Sequence, residues 1–191
     1  MNKSFMFPKY DENGISRIAI PDIKSILFLD IDGVICPYSN DSRWCHDLRK
    51  LSLYLANKYK DDIYLKVPEG DLGGAFYDWD LMALARVKNI LDITDSELVI
   101  HSDLRDWNDL DCFKALFKLY GMDEYVIDRC IPKFDKEVAI RKYLEENEDI
   151  ENYVVIDDDN DLSVFKDNFV LTNNYINDKN VEDACKVLLR Y

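Results

Sequence analysis

Short uninterrupted runs of apolar residues, each ending in polar or acidic groups, alternate along this chain with longer stretches whose apolar positions recur every three or four residues. The first run, Ser25 to Leu29, carries Ile26, Leu27, Phe28 and Leu29 without a break, the pattern of a strand covered on both faces in a parallel sheet. A helix is expected from His46 to Tyr59, where Leu48, Leu51, Leu55 and Tyr59 fall at helical spacing. Ile63 to Val67 alternates like a short strand, and the following segment with Pro68, Gly70, Gly73 and Gly74 reads as a mobile loop. The rest of the chain predicts helix Asp80 to Leu91, strand Glu97 to His101, an amphipathic helix Trp107 to Tyr120 closed by Gly121, and strand Tyr125 to Ile127. Helix Lys136 to Glu146, strand Tyr153 to Ile156, strand Phe169 to Thr172 and helix Val181 to Arg190 complete it. Ahead of the first strand, Asn13-Gly14 between the apolar segments Phe5 to Tyr10 and Ile15 to Ile20 reads as a hairpin, broken off by Pro21 and Asp22.

Strands alternating with helices over this length predict an α/β protein built on a doubly wound parallel sheet. The extras are an N-terminal β-hairpin over residues 1–21 and a small insertion, residues 36–78, after strand one. With 191 residues, 48% of them hydrophobic, one core and a single domain spanning 1–191 are expected.

Charge narrows the partners. The 38 acidic residues outnumber the 24 basic ones, and the net charge of -14, with no basic cluster, disfavours nucleic acid and anionic membranes as partners. The cysteines at 36, 45, 112, 130 and 185 are odd in number and lack C-x-x-C spacing, as expected of free thiols in a reducing cytoplasm. No stretch approaches the roughly 18 apolar residues of a membrane span, and Met1 to Tyr10 lacks the basic-then-apolar pattern of an export signal. A cytoplasmic location is the expectation.

The chemistry gathers at the ends of the apolar runs. Ile26 to Leu29 leads into Asp30-Ile31-Asp32-Gly33, and two carboxylates so close call for a cation, a shared proton or water between them. Oxygen ligands without a His or Cys cluster favour Mg²⁺ over zinc. A calcium loop of the EF-hand type would need a third ligand at Val34 and a preceding helix, and has neither. Ser102 ends the second strand, Lys136 opens a later helix, and Asp157 and Asp158 follow Val154, Val155 and Ile156.

In that order these residues resemble the four motifs of the haloacid dehalogenase (HAD) superfamily of phosphohydrolases, over about Ser25 to Leu189. Asp30 to Ile35 is similar to the first motif, Ser102 to the second, Lys136 to the third and Asp157-Asp158 to the fourth. The segment Val99 to Arg105 also resembles a Ser-Ser-Ser-Trp-Arg stretch in a bacterial and phage subgroup that includes domains of RNA-repair proteins, with His101, Asp103 and Leu104 departing from it. The resemblance implies a Rossmann-like core and an aspartyl-phosphate intermediate on Asp30, whose carboxyl, with a reference pKa near ~3.9, is an anion at neutral pH. It implies Asp32 as the acid that protonates the leaving alcohol and then deprotonates water, with Ser102 holding the phosphoryl oxygens and Lys136 neutralising Asp30 and substrate; Arg105, read from its place beside Ser102, is a further candidate to bind the substrate phosphate. Mg²⁺ would be held by Asp30, the Asp32 main-chain carbonyl and Asp158, with Asp157 supporting the water shell or Lys136, although the doubled acid leaves Asp157 and Asp158 interchangeable at this stage.

Each residue also has a structural reading. Ser102 alone is a cap for the next turn, Lys136 a solvated helix lysine with Lys133 as its rival, and Asp157 to Asp161 a helix start where acids offset the dipole. Arg105 alone pairs with Asp103 or Asp106, and His46 and His101 are packed or surface side chains. The insertion is too small for a full helical cap, which leaves an open site where Tyr38, Arg43, Trp44, Lys66 and Tyr77 are possible substrate contacts. Trp44 and Tyr77 serve equally well to pack the insertion. The expectation is a Mg²⁺-dependent phosphatase acting on a phosphomonoester of a small molecule or macromolecule. A nucleotide or nucleic-acid-end phosphatase is the first alternative, and a non-catalytic acidic binding protein on the same fold the second.

Overall fold

The computed structural model describes Lys9–Tyr10, Ser16–Arg17 and residues 24–189. Five strands, β1 (Lys24–Leu29), β2 (Glu97–Ile100), β3 (Val126–Arg129), β4 (Ile150–Asp157) and β5 (Phe169–Leu171), form one parallel sheet in the order β3-β2-β1-β4-β5. From β1 the chain winds outward to β3 and then returns to β4 on the other side. The switch point, where open α/β sheets form their crevice, therefore lies between the carboxyl ends of β1 and β4. Lys9–Tyr10 and Ser16–Arg17 pair antiparallel, as a hairpin requires; the Asn13-Gly14 turn lies outside the described residues.

Alternation along the strands divides the core into two layers, because successive side chains point to opposite faces. Leu27, Leu29, Leu98, Ile100, Val154 and Ile156 pack with helices α1 (Leu48–Tyr59), α3 (Leu81–Thr94), α4 (Leu110–Lys118) and α6 (Asp178–Leu189). Ile26, Phe28, Val99 and Val155 face the other way, onto Ala139, Ile140 and Tyr143 of α5 (Lys136–Glu146). Phe28 meets Tyr143 edge-on with ring centroids 5.5 Å apart. The next residues in phase with the second layer are Asp30, His101 and Asp157. They project towards the side on which α5 begins.

Part of the acid excess goes into starting helices. Asp47, Asp80, Asp109 and Asp135 cap α1, α3, α4 and α5, each accepting a hydrogen bond from a backbone N–H of the first turn. These caps move the starts of α1 and α4 inward from the expected His46 and Trp107. Strand β4 begins at Ile150 rather than Tyr153, and α6 at Asp178 rather than Val181. Arg190, the expected end of α6, lies outside the described residues.

The insertion differs most from expectation. In place of a strand and a mobile loop, residues 62–78 form a 3₁₀ turn (Asp62–Leu65), the short helix α2 (Glu69–Gly73) and a π-helical turn (Gly74–Asp78). The apparent alternation misleads because the buried positions are Tyr64 and Val67, three apart, while Leu65 is half exposed. Gly73 and Gly74 supply close approach instead of freedom, since a Cβ on Gly73 would crowd Leu48 and one on Gly74 would collide with the Arg43 guanidinium. Tyr64 donates to the Ala115 carbonyl of α4 at 3.2 Å, and Leu72 and Ala75 are fully buried in the main core.

Because the insertion shares that core, Leu72→Ala is expected to lower the stability of the whole domain by about 2–5 kcal/mol in a single urea transition. A loss below about 1 kcal/mol would mean that the insertion folds as a detachable flap.

Candidate active site

Register brings the site together. Leu29 is paired with Ile100 on one side and Ile156 on the other, so the residues one step further on, Asp30, His101 and Asp157, stand in a single row across three neighbouring strands. The Asp30 N–H donates to the Ile156 carbonyl at 3.0 Å and the His101 N–H to the Leu29 carbonyl at 3.1 Å. All three side chains are buried, and one ligand atom from each lies within 4.8 Å of the others.

A row of buried acids needs positive charge. Lys136, the first residue of α5, supplies it: its Nζ lies 3.3 Å from Asp30 Oδ2 and 2.9 Å from Asp157 Oδ2. His101 Nε2 shares the same Asp157 oxygen at 2.8 Å, while Asp157 Oδ1 accepts from the Asp159 N–H at 2.8 Å. Both oxygens of Asp157 are thus engaged. Lys136, not its rival Lys133, reaches the site; Lys133 is exposed, and its backbone N–H donates to Asp106 at 2.6 Å.

Burial and neighbours set the protonation of this network. Burial raises Asp30 to about 7, with the Asp157 charge adding to the rise and Lys136 opposing it. For Asp157 burial pulls the same way, but the hydrogen bond from His101 and the Lys136 ammonium outweigh it and hold the carboxyl down to about 2. Burial also lowers His101, so the ring is neutral at pH 7 and its Nε2 carries the proton given to Asp157. Its Nδ1 is buried without a partner among the described residues. Burial works against charge on Lys136, yet Asp30 and Asp157 prevail and keep it an ammonium ion.

The other expected residues surround this row. Asp32 is half-buried, and burial raises its pKa against the opposing pull of Arg43. Gly33 adopts φ +72°, and a Cβ there would run into the Asp158 carboxylate, so this glycine lets Asp158 lie against the loop that carries Asp30 and Asp32. Asp158 also accepts from the Tyr38 hydroxyl at 2.8 Å. Ser102 is buried and caps the turn Asp103–Asp106, its Oγ accepting from the Leu104 N–H.

Arg105 departs from its expected place among substrate contacts. Its guanidinium is 2% exposed and donates to the carbonyls of His101 (2.7 Å), Ile131 (3.3 Å) and Phe134, and to Asp103 (3.0 Å). It clamps the loop after β2 to the loop that delivers Lys136. Of the insertion residues, Arg43 pairs with the buried Asp78, Tyr77 stacks on His46 with centroids 3.8 Å apart, and Trp44 and Tyr38 are exposed. Lys66 is exposed and acts electrostatically on Asp109.

A family model for the HAD domain in Swiss Army Knife RNA repair proteins matches residues 26–181. The chain belongs to this family. Comparison with curated proteins and with solved structures gave no match. In the structure Asp30, Ser102 and Asp157-Asp158 stand at or just beyond the carboxyl ends of strands, and Lys136 reaches Asp30 and Asp157 from the start of α5. His101 is the participant that sequence reading passed over as a packed or surface residue. Its signal was present, because the second apolar run ends at His101 as the first ends at Asp30 and the fourth at Asp157.

A divalent metal, which HAD domains generally use, fits the residues present. Asp30 Oδ1 is buried and, among the described residues, has no partner, while its other oxygen is held by Lys136. The adjoining donors, from Asp32 and Asp158, are oxygens, the donor set of a hard cation. Asp30, His101 and Asp157 also form a three-residue set, but Lys136 already places its positive charge between the two acids of that set.

A carboxyl whose pKa is raised on folding contributes stability that is complete below its unfolded value of 3.8 and is lost as pH rises through about 7. In chelator at pH 8, Asp30→Asn is therefore expected to be more stable than the parent by on the order of 2 kcal/mol, a difference that closes towards pH 4. Thermal denaturation at the two pH values measures it, and a destabilised variant at pH 8 would contradict the argument.

Proposed function

We propose that this HAD domain is a Mg²⁺-dependent phosphatase that hydrolyses a phosphomonoester by way of an aspartyl phosphate on Asp30. The observation that carries the reading is the state of the Asp30 carboxyl: one oxygen is steadied by Lys136 and the other is buried without a partner among the described residues, at the switch point of the sheet. A pure binding protein has no use for an acid so placed, nor for a second acid two residues away.

Asp30, the Asp32 main-chain carbonyl and Asp158 would hold the metal, and Asp157, saturated by His101, Lys136 and the Asp159 N–H, supports Lys136 instead. Bound Mg²⁺ supplies positive charge that offsets the ester's negative charge and the charge of the transition state. A carboxylate oxygen of Asp30 attacks phosphorus as the bond to the leaving oxygen breaks, and that oxygen takes the proton of Asp32. Water then attacks phosphorus while Asp32 takes its proton; the bond to Asp30 breaks, releasing inorganic phosphate and restoring the carboxylate. Ser102 and neighbouring backbone amides hold the phosphoryl oxygens. Arg105 acts as a positioning residue through the two loops it joins.

The family's description favours one substrate over others: a phosphorylated nucleic acid end. The net charge of -14 opposes a long footprint on a phosphate backbone, but that repulsion grows with the number of phosphates contacted. One terminal phosphate is compatible with it. All five cysteines are free thiols, in keeping with work in a reducing compartment such as the cytoplasm.

Phosphate release from p-nitrophenyl phosphate is expected with Mg²⁺, to be abolished by chelation, and to fall at least about a thousandfold in Asp30→Asn, which removes the nucleophile. Asp32→Asn should slow release from alkyl esters more than from p-nitrophenyl phosphate, whose leaving group needs little protonation. Activity retained in Asp30→Asn would overturn the mechanism.

A further inference from the structure

Exposed aromatic side chains are distributed unevenly over this molecule. Among the described residues seven are exposed, and five of them, Tyr38, Trp44, Trp107, Phe134 and Tyr175, belong to segments that follow the carboxyl ends of strands, the edge that carries Asp30. Tyr38 and Trp44 stand at the start of the insertion, where the chain leaves β1, and the remaining two, Tyr54 and Phe76, lie further along it. On the outer faces of α3 and α5 the large exposed apolar residues are aliphatic: Leu81, Met82 and Val138. Scattered exposed apolar groups are ordinary, but here the exposed rings recur in the segments that leave the edge carrying Asp30.

Tyr38 adds a second observation. Its side chain is 67% exposed, yet it is fixed at both ends, the hydroxyl donating to Asp158 and the backbone N–H to Asn174 Oδ1, each at 2.8 Å. Holding a surface ring in one rotamer costs entropy, and the result is an aromatic face set beforehand beside Asp158. Phe134, two residues before Lys136, is anchored by the Arg105 bond to its carbonyl and carries the Lys142 ammonium 4.8 Å from its ring centroid.

We propose that this aromatic rim binds the unpaired bases next to a terminal phosphate of single-stranded nucleic acid, by stacking and not by following the backbone. Bases with two flat faces match exposed rings regardless of sequence, and an acidic surface leaves stacking as the route by which such a strand is held. The inference deepens the nucleic-acid-end reading and rests on it only for where the terminal phosphate goes.

The tryptophans give a readout that needs no turnover. Of the three, Trp44 and Trp107 are on the rim, while Trp79 is buried against Phe117. A short single-stranded oligoribonucleotide with a terminal phosphate is expected to quench part of the intrinsic fluorescence saturably. An abasic oligomer of equal length and charge should bind at least about fivefold more weakly. Raising salt from 50 to 200 mM should weaken binding by less than about tenfold, and Trp107→Leu or Trp44→Leu should reduce the quenching. No quenching, equal binding of the abasic oligomer, a steep salt dependence, or quenching unchanged in both variants would each overturn the proposal. Those results leave p-nitrophenyl phosphate hydrolysis untouched, and loss of that hydrolysis leaves the quenching experiment standing, so the two readings fail separately.

Discussion

The Lys136 ammonium between Asp30 and Asp157 is the interaction on which the arrangement depends. Parallel register forces these two carboxylates into one buried row with His101, and without a cation the row would repel itself in a medium that screens poorly. A lysine at the first position of a helix is disfavoured by the helix dipole, so its place there is held by its partners. The Asp135 cap fixes where α5 begins, and Arg105 ties the approach loop to the end of β2. Fold and chemistry meet in that one side chain.

The network also separates two acids that look alike. Asp157 and Asp158 are neighbours in sequence, and their residue types alone give no reason to assign them different roles. Strand geometry does so, because Asp157 is in phase with Val155 and turns towards α5, whereas Asp158 has left the strand and lies against Gly33. One becomes a saturated, firmly ionised partner of Lys136 and His101. The other keeps an aspect towards the loop of Asp30 and Asp32. Environment rather than residue type divides the work, as in other pairs of carboxyls whose surroundings push them apart.

Much of the scaffold was legible because the physics that makes a parallel strand, burial on both faces, leaves uninterrupted apolar runs such as Ile26 to Leu29. Helix α5 was legible at both ends. Asp30, Asp32 and the acid pair were legible as charged residues where those runs stop, and Lys136 as the residue that opens a helix. Register was not, since pairing is a property of two strands, and so His101 went unnoticed although it occupies the same row as Asp30. Arg105 misled for a related reason: an arginine near a phosphate-binding segment looks like a ligand until the carbonyls of Ile131 and Phe134, distant in sequence, are brought to it. The insertion misled most. Glycines at 70, 73 and 74 carry the signature of a loop, but at Gly73 and Gly74 their missing side chains make room for Leu48 and Arg43.

That last point bears on how the site chooses a substrate. An insertion whose Tyr64, Leu72 and Ala75 belong to the main core cannot swing as a separate lid without opening the core itself. Arg43, seated over Gly74 and paired with buried Asp78, is presented to Asp32 from a rigid base. Closure over the substrate, a common way to exclude water and select a shape, is therefore unavailable to this part of the chain. Selection must come from surfaces already in place, and Tyr38, exposed yet held between Asp158 and Asn174, is a large group the fold leaves uncovered there.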